Sequence, residues 1–302
     1  MSIYKVSYLS QEYRVMGYLG IPHDLASDMV LDKLQKTCND VHVVEEIAVS
    51  LPSLNHTSSD HIGEGSSRQP DSDASVPLHL AEPNQPRGAF IYCRGGINRV
   101  GKVRTWWIEQ FLRHGDFVFA PCYRGSEGSE GRDLFGGDDV EDVTSMLTIL
   151  SRFPLVHPAK ISVMGFSRGS VNATQAAVQF PSLRALVLWG GVSDLAQTYA
   201  DRVDLRRMLR RVVGGTPRRV PEAFAARSPI ELAADLTCPV LIIHGTDDVQ
   251  VGVWHGKNMA EKLRALNKPV SFHQYNGQGH HLHPLVFEAI VDRMFDWIRG
   301  YH

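Results

Sequence analysis

The stretch "KISVMGFSRGSVNATQAAVQF", residues 160–180, sets an apolar run, a glycine-flanked serine and a helical pattern in immediate succession. It opens on a short apolar run, "KISVMGF", of the kind that forms a strand buried on both faces. It ends on "VNATQAAVQF", which reads as a helix. Between them lies Gly165-Phe166-Ser167-Arg168-Gly169, the pattern G-x-S-x-G. A side chain on so tight a strand-to-helix turn needs unhindered backbone on both sides, which the glycines supply. The turn lifts the Ser167 hydroxyl above the sheet edge, at the start of the next helix. Unpaired N–H groups and the positive end of the helix dipole collect there. The alternative is an ordinary turn with a capping serine.

Outward from this turn the rhythm is regular. Strands are expected in "GAFIYCR" (88–94), "DFVFAPC" (116–122), "LRALVLWGG" (183–191), "PVLIIHG" (239–245) and "PVSFHQYNG" (269–277). Helices are expected in "VRTWWIEQFLRHG" (103–115), "DVEDVTSMLTILSRF" (139–153), "HGKNMAEKLRALN" (255–267) and "PLVFEAIVDRMFDWIRG" (284–300). Alternating strands and helices predict a mostly parallel central sheet with helices on both faces. Chemistry in such sheets gathers beyond the C-terminal strand ends. At the N-terminus, "YKVSYLSQEYRVMGYLGIP" (4–22) reads as two strands, and "DLASDMVLDKLQKTCND" (24–40) carries helical spacing. Residues 52–86, rich in Ser, Pro, Asp and Gly, read as a long polar loop. Residues 199–235 break the rhythm and are dense in Arg. They read as a small cap segment, either favouring anionic substrates or presenting a solvated helix face.

Composition excludes several classes. The chain has 302 residues, 43% hydrophobic and 21% charged, with a formal net charge of −2. No global field points to nucleic acid or to an anionic membrane. No apolar run has the roughly 18–20 residues that span a bilayer. The start lacks a secretory pattern, and Cys38, Cys93, Cys122 and Cys238 are scattered without a CxxC pair, so a cytoplasmic protein with free thiols is expected. The Asn-x-Thr triplets at Asn55 and Asn172 are then chance matches.

A hydroxyl near neutral pH is a weak nucleophile, so Ser167 needs a base and the base an orienting carboxylate. Downstream, "HGTDDVQV" (244–251) follows a predicted strand with two adjacent acids, Asp247 and Asp248. A histidine cluster, "YNGQGHHLHP" (275–284), follows the next strand. Serine, acid and histidine thus occur in the order of an α/β-hydrolase, each at the same sheet edge. The residues alone leave open which acid and which histidine serve. A metal bound by "HHLH" lacks a clear set of partner ligands. No metal or organic cofactor is expected.

Four passages resemble the catalytic domain of the prolyl oligopeptidase family: "YRGSEGSEG" (123–131), "GFSRG" (165–169), "RSPIELAADLTCPVLIIHGTDDVQV" (227–251) and "YNGQGHH" (275–281). The strand pair "YLSQEYRVMGYLGIP" (8–22) adds to the likeness. The resemblance implies one α/β-hydrolase domain over residues 1–302, with residues 24–86 as a divergent insertion. Only some 87 residues precede Gly88, too few for the β-propeller that family peptidases usually carry. Family patterns choose Asp248, in H-G-x-x-D-x-x-V, and His280, in G-x-G-H. A Ser167–Asp248–His280 triad follows. The backbone N–H of Arg168 and those of Gly95 or Gly96 would form the oxyanion hole. Relatives often have His-Gly-Gly where this chain has Arg94-Gly95-Gly96; Arg94 could pair with an acid inside the protein or meet a substrate carboxylate, and Tyr123 and His281 are further candidates to touch substrate. Arg124 reads as structural, and His281 and His283 as rim or local packing residues. The implied function is a serine hydrolase of small esters, amides or short peptides. A non-catalytic ligand-binding protein of the same fold, or an acyltransferase, are the alternatives.

Overall fold

A computed structural model of the chain describes residues 1–48, 85–97 and 100–301. The polar loop expected over 52–86 lies almost wholly outside the described residues.

The sheet has nine strands: β1 (Ser2–Ser10), β2 (Tyr13–Ile21), β3 (His42–Ile47), β4 (Arg87–Cys93), β5 (Phe117–Pro121), β6 (Val156–Phe166), β7 (Ala185–Trp189), β8 (Val240–Gly245) and β9 (Val270–Tyr275). Their spatial order is β3-β1-β2-β5-β4-β6-β7-β8-β9. From β5 through β9 every pairing is parallel, while β1, β2 and β3 join antiparallel. This is the mostly parallel α/β-hydrolase sheet that the sequence predicts. The strand β3 was not expected. Its "HVVEEI" is largely solvent-exposed, as suits a charged edge strand that resists pairing with other chains.

Central strands are buried on both faces because both faces are covered. Along β4, Ala89, Ile91 and Cys93 enter one core, and Phe90 and Tyr92 the other. In β8, Val240 and Ile242 alternate in the same way with Leu241 and Ile243. This two-residue period is what an apolar run needs to serve two layers. The first core is closed by α1 (Ser27–Thr37), α3 (Glu141–Arg152), α4 (Gly169–Gln179) and α8 (Trp254–Ala265). The second is closed by α2 (Thr105–Leu112) and α9 (Pro284–Gly300), where the Phe111 ring contacts those of Trp107, Phe287 and Phe295.

Connectivity positions the site. The chain leaves β4 through α2 on one face to reach β5, then crosses through α3 on the other face to β6. Strand order therefore reverses at β4, and a crevice opens beyond the C-terminal ends of β4 and β6. The 199–235 segment, with its flanks, supplies α5 (Leu195–Asp201), α6 (Arg206–Val213) and α7 (Pro221–Ala225). Leu209, Val212, Val213 and Phe224 join Phe135, Val171, Val192 and Val251 in a third apolar cluster, which seats these helices on the sheet end. Arg207, Arg210 and Arg211 of α6 face solvent, as a solvated helix face requires. The expected structural role of Arg124 holds. It is buried, pairs with Asp142 at 2.8 Å, and so ties the β5 loop to α3. Ser10 at the end of β1 donates to the same carboxylate. Among the described residues no helix is long and apolar enough to cross a membrane.

Candidate active site

Ser167 follows the last residue of β6 and takes φ = +56°, a left-handed conformation unusual for a residue with a side chain. Such strain costs about 1–3 kcal/mol and persists only where surroundings enforce it. Here its N–H donates to Trp189 O, while its own carbonyl accepts from the N–H groups of Ser170 and Val192. The glycine after Arg168 is equally constrained: a Cβ on Gly169 would lie 2.0 Å from the Cys93 carbonyl oxygen, so only glycine lets α4 pack this close to β4. A Cβ on Gly95 would stand 2.9 Å from the Ser167 Cβ. The loop after β4 thus brings bare backbone against the serine. Arg168 is the residue preceding α4, so its N–H has no intrahelical acceptor.

The loop after β8 separates the two acids. Asp248 is buried. One carboxylate oxygen, Oδ1, accepts from the N–H groups of Gln250 and Val251, each at 2.9 Å. The other, Oδ2, accepts from His280 Nδ1 at 2.7 Å. Burial alone would raise the Asp248 pKa, but the His244 imidazole 3.6 Å away and the His280 hydrogen bond outweigh it and hold the group well below the usual carboxylate range. Donation from Nδ1 leaves the other ring nitrogen of His280 with its lone pair. Asp247 is exposed and takes a hydrogen bond from the Thr246 hydroxyl at 2.7 Å. His244 contacts Val251 O through Nε2 at 2.8 Å, holding the loop that presents Asp248.

Ser167 and His280 line one cavity of about 830 Å³, together with Gly95, Gly96, Arg168 and His281. Its apolar wall comes from Ile97, Phe135, Val192, Leu205 and Met208. The last two belong to the cap segment, which therefore shapes the pocket. His283 instead caps α9, its Nδ1 accepting from Leu285 N–H.

Two expected substrate contacts are corrected. The Arg94 side chain is fully buried; its guanidinium donates to the carbonyls of Cys122 at 2.6 Å and Gly95 at 3.1 Å, and lies over the Tyr123 ring. It braces the Gly95–Gly96 loop from behind. Tyr123 is equally buried and points its hydroxyl at the Arg94 carbonyl. Neither reaches the cavity, because each is sandwiched between strand ends. The Arg168 side chain was not anticipated. It is buried against Asp133 at 2.6 Å and Asp139 at 2.7 Å, so the residue after Ser167 is anchored by two acids from the β5–α3 connection. Arg104 was also missed: it lines the cavity beside His281. Nothing in an arginine at the start of an amphipathic helix marks it in advance.

Below the Asp248 loop lies His255, buried on α8. Its Nδ1 accepts the Ser193 N–H at 3.1 Å and so is unprotonated. Burial, then the neighbouring His244, hold its pKa down to about 3 from an ordinary 6.5. Between those values the unfolded chain binds a proton that the fold refuses, so stability falls as pH drops from 6.5 toward 3. His114, held down to about 4 by burial and Arg299, acts in the same sense. Asp116, pushed up to about 6 by burial, opposes it as pH falls through that value. Glu109, Asp133 and Asp142, also raised by burial, act with Asp116, while His273 and His281, also lowered by burial, act with the two histidines. The His255 contribution is a drop in the urea midpoint as pH falls below about 6.5, worth at most about 1.4 kcal/mol per pH unit. The drop should be shallower in His255→Gln; an unchanged slope would show that His255 is not the group refused.

This geometry, a serine on a strained turn after a central parallel strand with a hydrogen-bonded Asp–His pair across the cavity, defines the α/β-hydrolase class. The family is also clear. Residues 103–301 match the model of the prolyl oligopeptidase family, and the chain belongs to it. It is thus an enzyme of the serine peptidase type. The chain is 42% identical over 224 residues to "Uncharacterized peptidase YtmA" of Bacillus subtilis, covering 73% of this chain and 87% of that protein. Among solved structures, Pyrococcus horikoshii acylaminoacyl peptidase aligns with a TM-score of 0.68 at 15% identity. That match covers 99% of this chain but only 41% of the other. A puromycin hydrolase structure aligns with a TM-score of 0.67 at 18% identity over 98% of this chain and 39% of its own. At such identities the likeness is one of fold.

Proposed function

We propose that the chain cleaves ester or amide bonds of small substrates through an acyl-enzyme formed on Ser167. The observation that carries this is the 2.7 Å hydrogen bond from His280 to the buried Asp248, on the same cavity as Ser167. His280 takes the Ser167 proton as Oγ attacks the carbonyl. Asp248 orients the imidazole and stabilises it once charged. The N–H of Arg168 and an amide of the Gly95–Gly96 loop receive the oxyanion. The acyl–oxygen or acyl–nitrogen bond then breaks, His280 protonates the leaving group, and water releases the acid by the reverse path. The relatives' names bear on substrate only by analogy: acylaminoacyl peptidase and puromycin hydrolase point to small amides.

The test is a panel of short-chain nitrophenyl esters, aminoacyl arylamides and small peptides, with Ser167→Ala as the blank. Fluorophosphonate labelling at Ser167 locates the nucleophile. Binding without labelling or turnover would instead favour a ligand-binding role, and trapping of the acyl group by added amines an acyltransferase.

A further inference from the structure

The cavity wall carries charge of one sign. Lys102, Arg104 and Arg202 line it, and among the described lining residues there is no carboxylate. The three are not equivalent. Arg202 is already neutralised by Asp204 through two hydrogen bonds, at 2.9 and 2.7 Å. The nearby Asp201 is engaged by Gln197. Lys102 and Arg104, on the segment that leads into α2, have no ion-pair partner among the described residues. Both are exposed. The acid nearest in contact to this segment, Glu127, is occupied by the Val103 N–H and the Tyr18 hydroxyl.

Arg104 is held in place. Its guanidinium stacks 5.3 Å from the Trp107 ring and 5.9 Å from the ring of Phe166, the residue before Ser167. One edge meets His281 Nδ1 at 3.4 Å. Since His281 is kept toward neutrality by burial and then by Arg104 itself, this contact leaves the positive charge uncompensated. A guanidinium has five N–H donors, and one imidazole nitrogen uses few of them. The remainder are available for a planar anion, the partner that a guanidinium fork fits best.

Position gives the charge a side. His281 is the immediate neighbour of His280, and Phe166 lies against the His280 ring at 4.8 Å. His280 is the group that hands its proton to the leaving group, so Arg104 stands on the leaving-group side. The apolar wall of Phe135, Val192, Leu205 and Met208 is then left for the acyl portion.

Resting on the proposed reading of Ser167, we infer that the enzyme takes substrates with an uncharged acyl portion and a leaving group bearing a free carboxylate, recognised by Arg104 with Lys102. An N-blocked dipeptide with a free C-terminus is the simplest example. In its cleavage the acyl–nitrogen bond breaks as the Ser167 Oγ–acyl bond forms. The serine proton passes through His280 to the departing amine, and an amino acid with an intact carboxylate leaves. Among the described lining residues, a substrate whose recognition depends on a free ammonium group meets two cations without ion-pair partners and no carboxylate.

Binding to the Ser167→Ala protein tests this apart from turnover. Calorimetric titration compares N-acetyl-Phe-Leu, its C-terminal amide, and Phe-Leu-amide with its free ammonium. The free acid should bind about tenfold more tightly than its amide, as a charge-assisted contact on one partner predicts, and the ammonium peptide weakest. In Lys102→Met/Arg104→Met the acid-to-amide ratio should fall to near unity, and Arg104→Lys should restore part of it. Raising salt to about 0.5 M should shrink the ratio in the parent protein, a reading that does not depend on the variants folding. Equal binding of acid and amide, preference for the ammonium peptide, or no binding of the acid would each overturn the inference. Loss of nitrophenyl ester turnover by the wild type would instead count against the Ser167 reading.

Discussion

Replacing Ser167 by Ala should lower kcat on a short-chain nitrophenyl ester by about 10⁶-fold, the scale seen when a triad nucleophile is removed. The loss should fall on kcat, because the cavity walls and the oxyanion donors stay in place. The far-UV circular dichroism should be unchanged, since the hydroxyl makes no contact on which a strand or helix depends. Ser167→Gly adds an independent reading of the same turn. At φ = +56° glycine relieves the strain that serine and alanine both bear, so the glycine variant should unfold at a higher urea concentration than Ser167→Ala. Retained turnover in Ser167→Ala would remove the nucleophile assignment. A glycine variant no more stable than the alanine one would show that the turn is not strained.

The second large effect separates the adjacent acids. Asp248→Asn should cut kcat/KM by about 10³–10⁴-fold, because an amide at that position no longer accepts the His280 Nδ1 proton as a carboxylate does and disfavours the charged imidazole. Asp247→Asn should stay within a few-fold of wild type: its carboxylate is exposed and bonded to the Thr246 hydroxyl alone. The variants should differ in stability as well. Asp248 has its pKa lowered in the fold, so its ionised form stabilises the protein above the unfolded value of 3.8, and that contribution is lost as pH falls through the folded value. Asp248→Asn should therefore be destabilised at neutral pH, and less so in acid. Steady-state kinetics and urea midpoints at two pH values check both. Equal damage from the two substitutions would place the His280 contact elsewhere on the loop.

Much of the site is legible along the chain. Doubly buried parallel strands are continuous apolar runs, and "ISVMGF" and "VLIIHG" stand out for that reason. The serine turn shows because its glycines answer a backbone demand that no other residue meets. Periodicity does not choose between Asp247 and Asp248, since neighbouring residues in a loop have no fixed facing; family resemblance chooses Asp248, and in the structure that acid is the one hydrogen-bonded to His280. Arg94 stays open along the chain for a related reason: beside Gly95 and Gly96 it could meet substrate or turn inward, and whether a side chain at a strand end points into a cavity or back between strands depends on packing from the end of β5, distant in sequence. The edge strand β3 went unseen because "HVVEEI" is polar and mostly exposed, so no buried face imposes an apolar pattern.

Along the chain one can read the layered fold, the order of serine, acid and histidine, and the strand ends that each of them follows. These depend on local hydrophobic pattern and turn chemistry, which are written residue by residue. What surrounds them comes from packing: Asp133 and Asp139 anchor the Arg168 side chain, Leu205 and Met208 wall the cavity, and Arg104 lines it beside His281 with no acid paired to it among the described residues. Those contacts join residues from separate elements across the sheet end. Charge compensation and side-chain direction there follow from three-dimensional packing, which one-dimensional spacing does not encode.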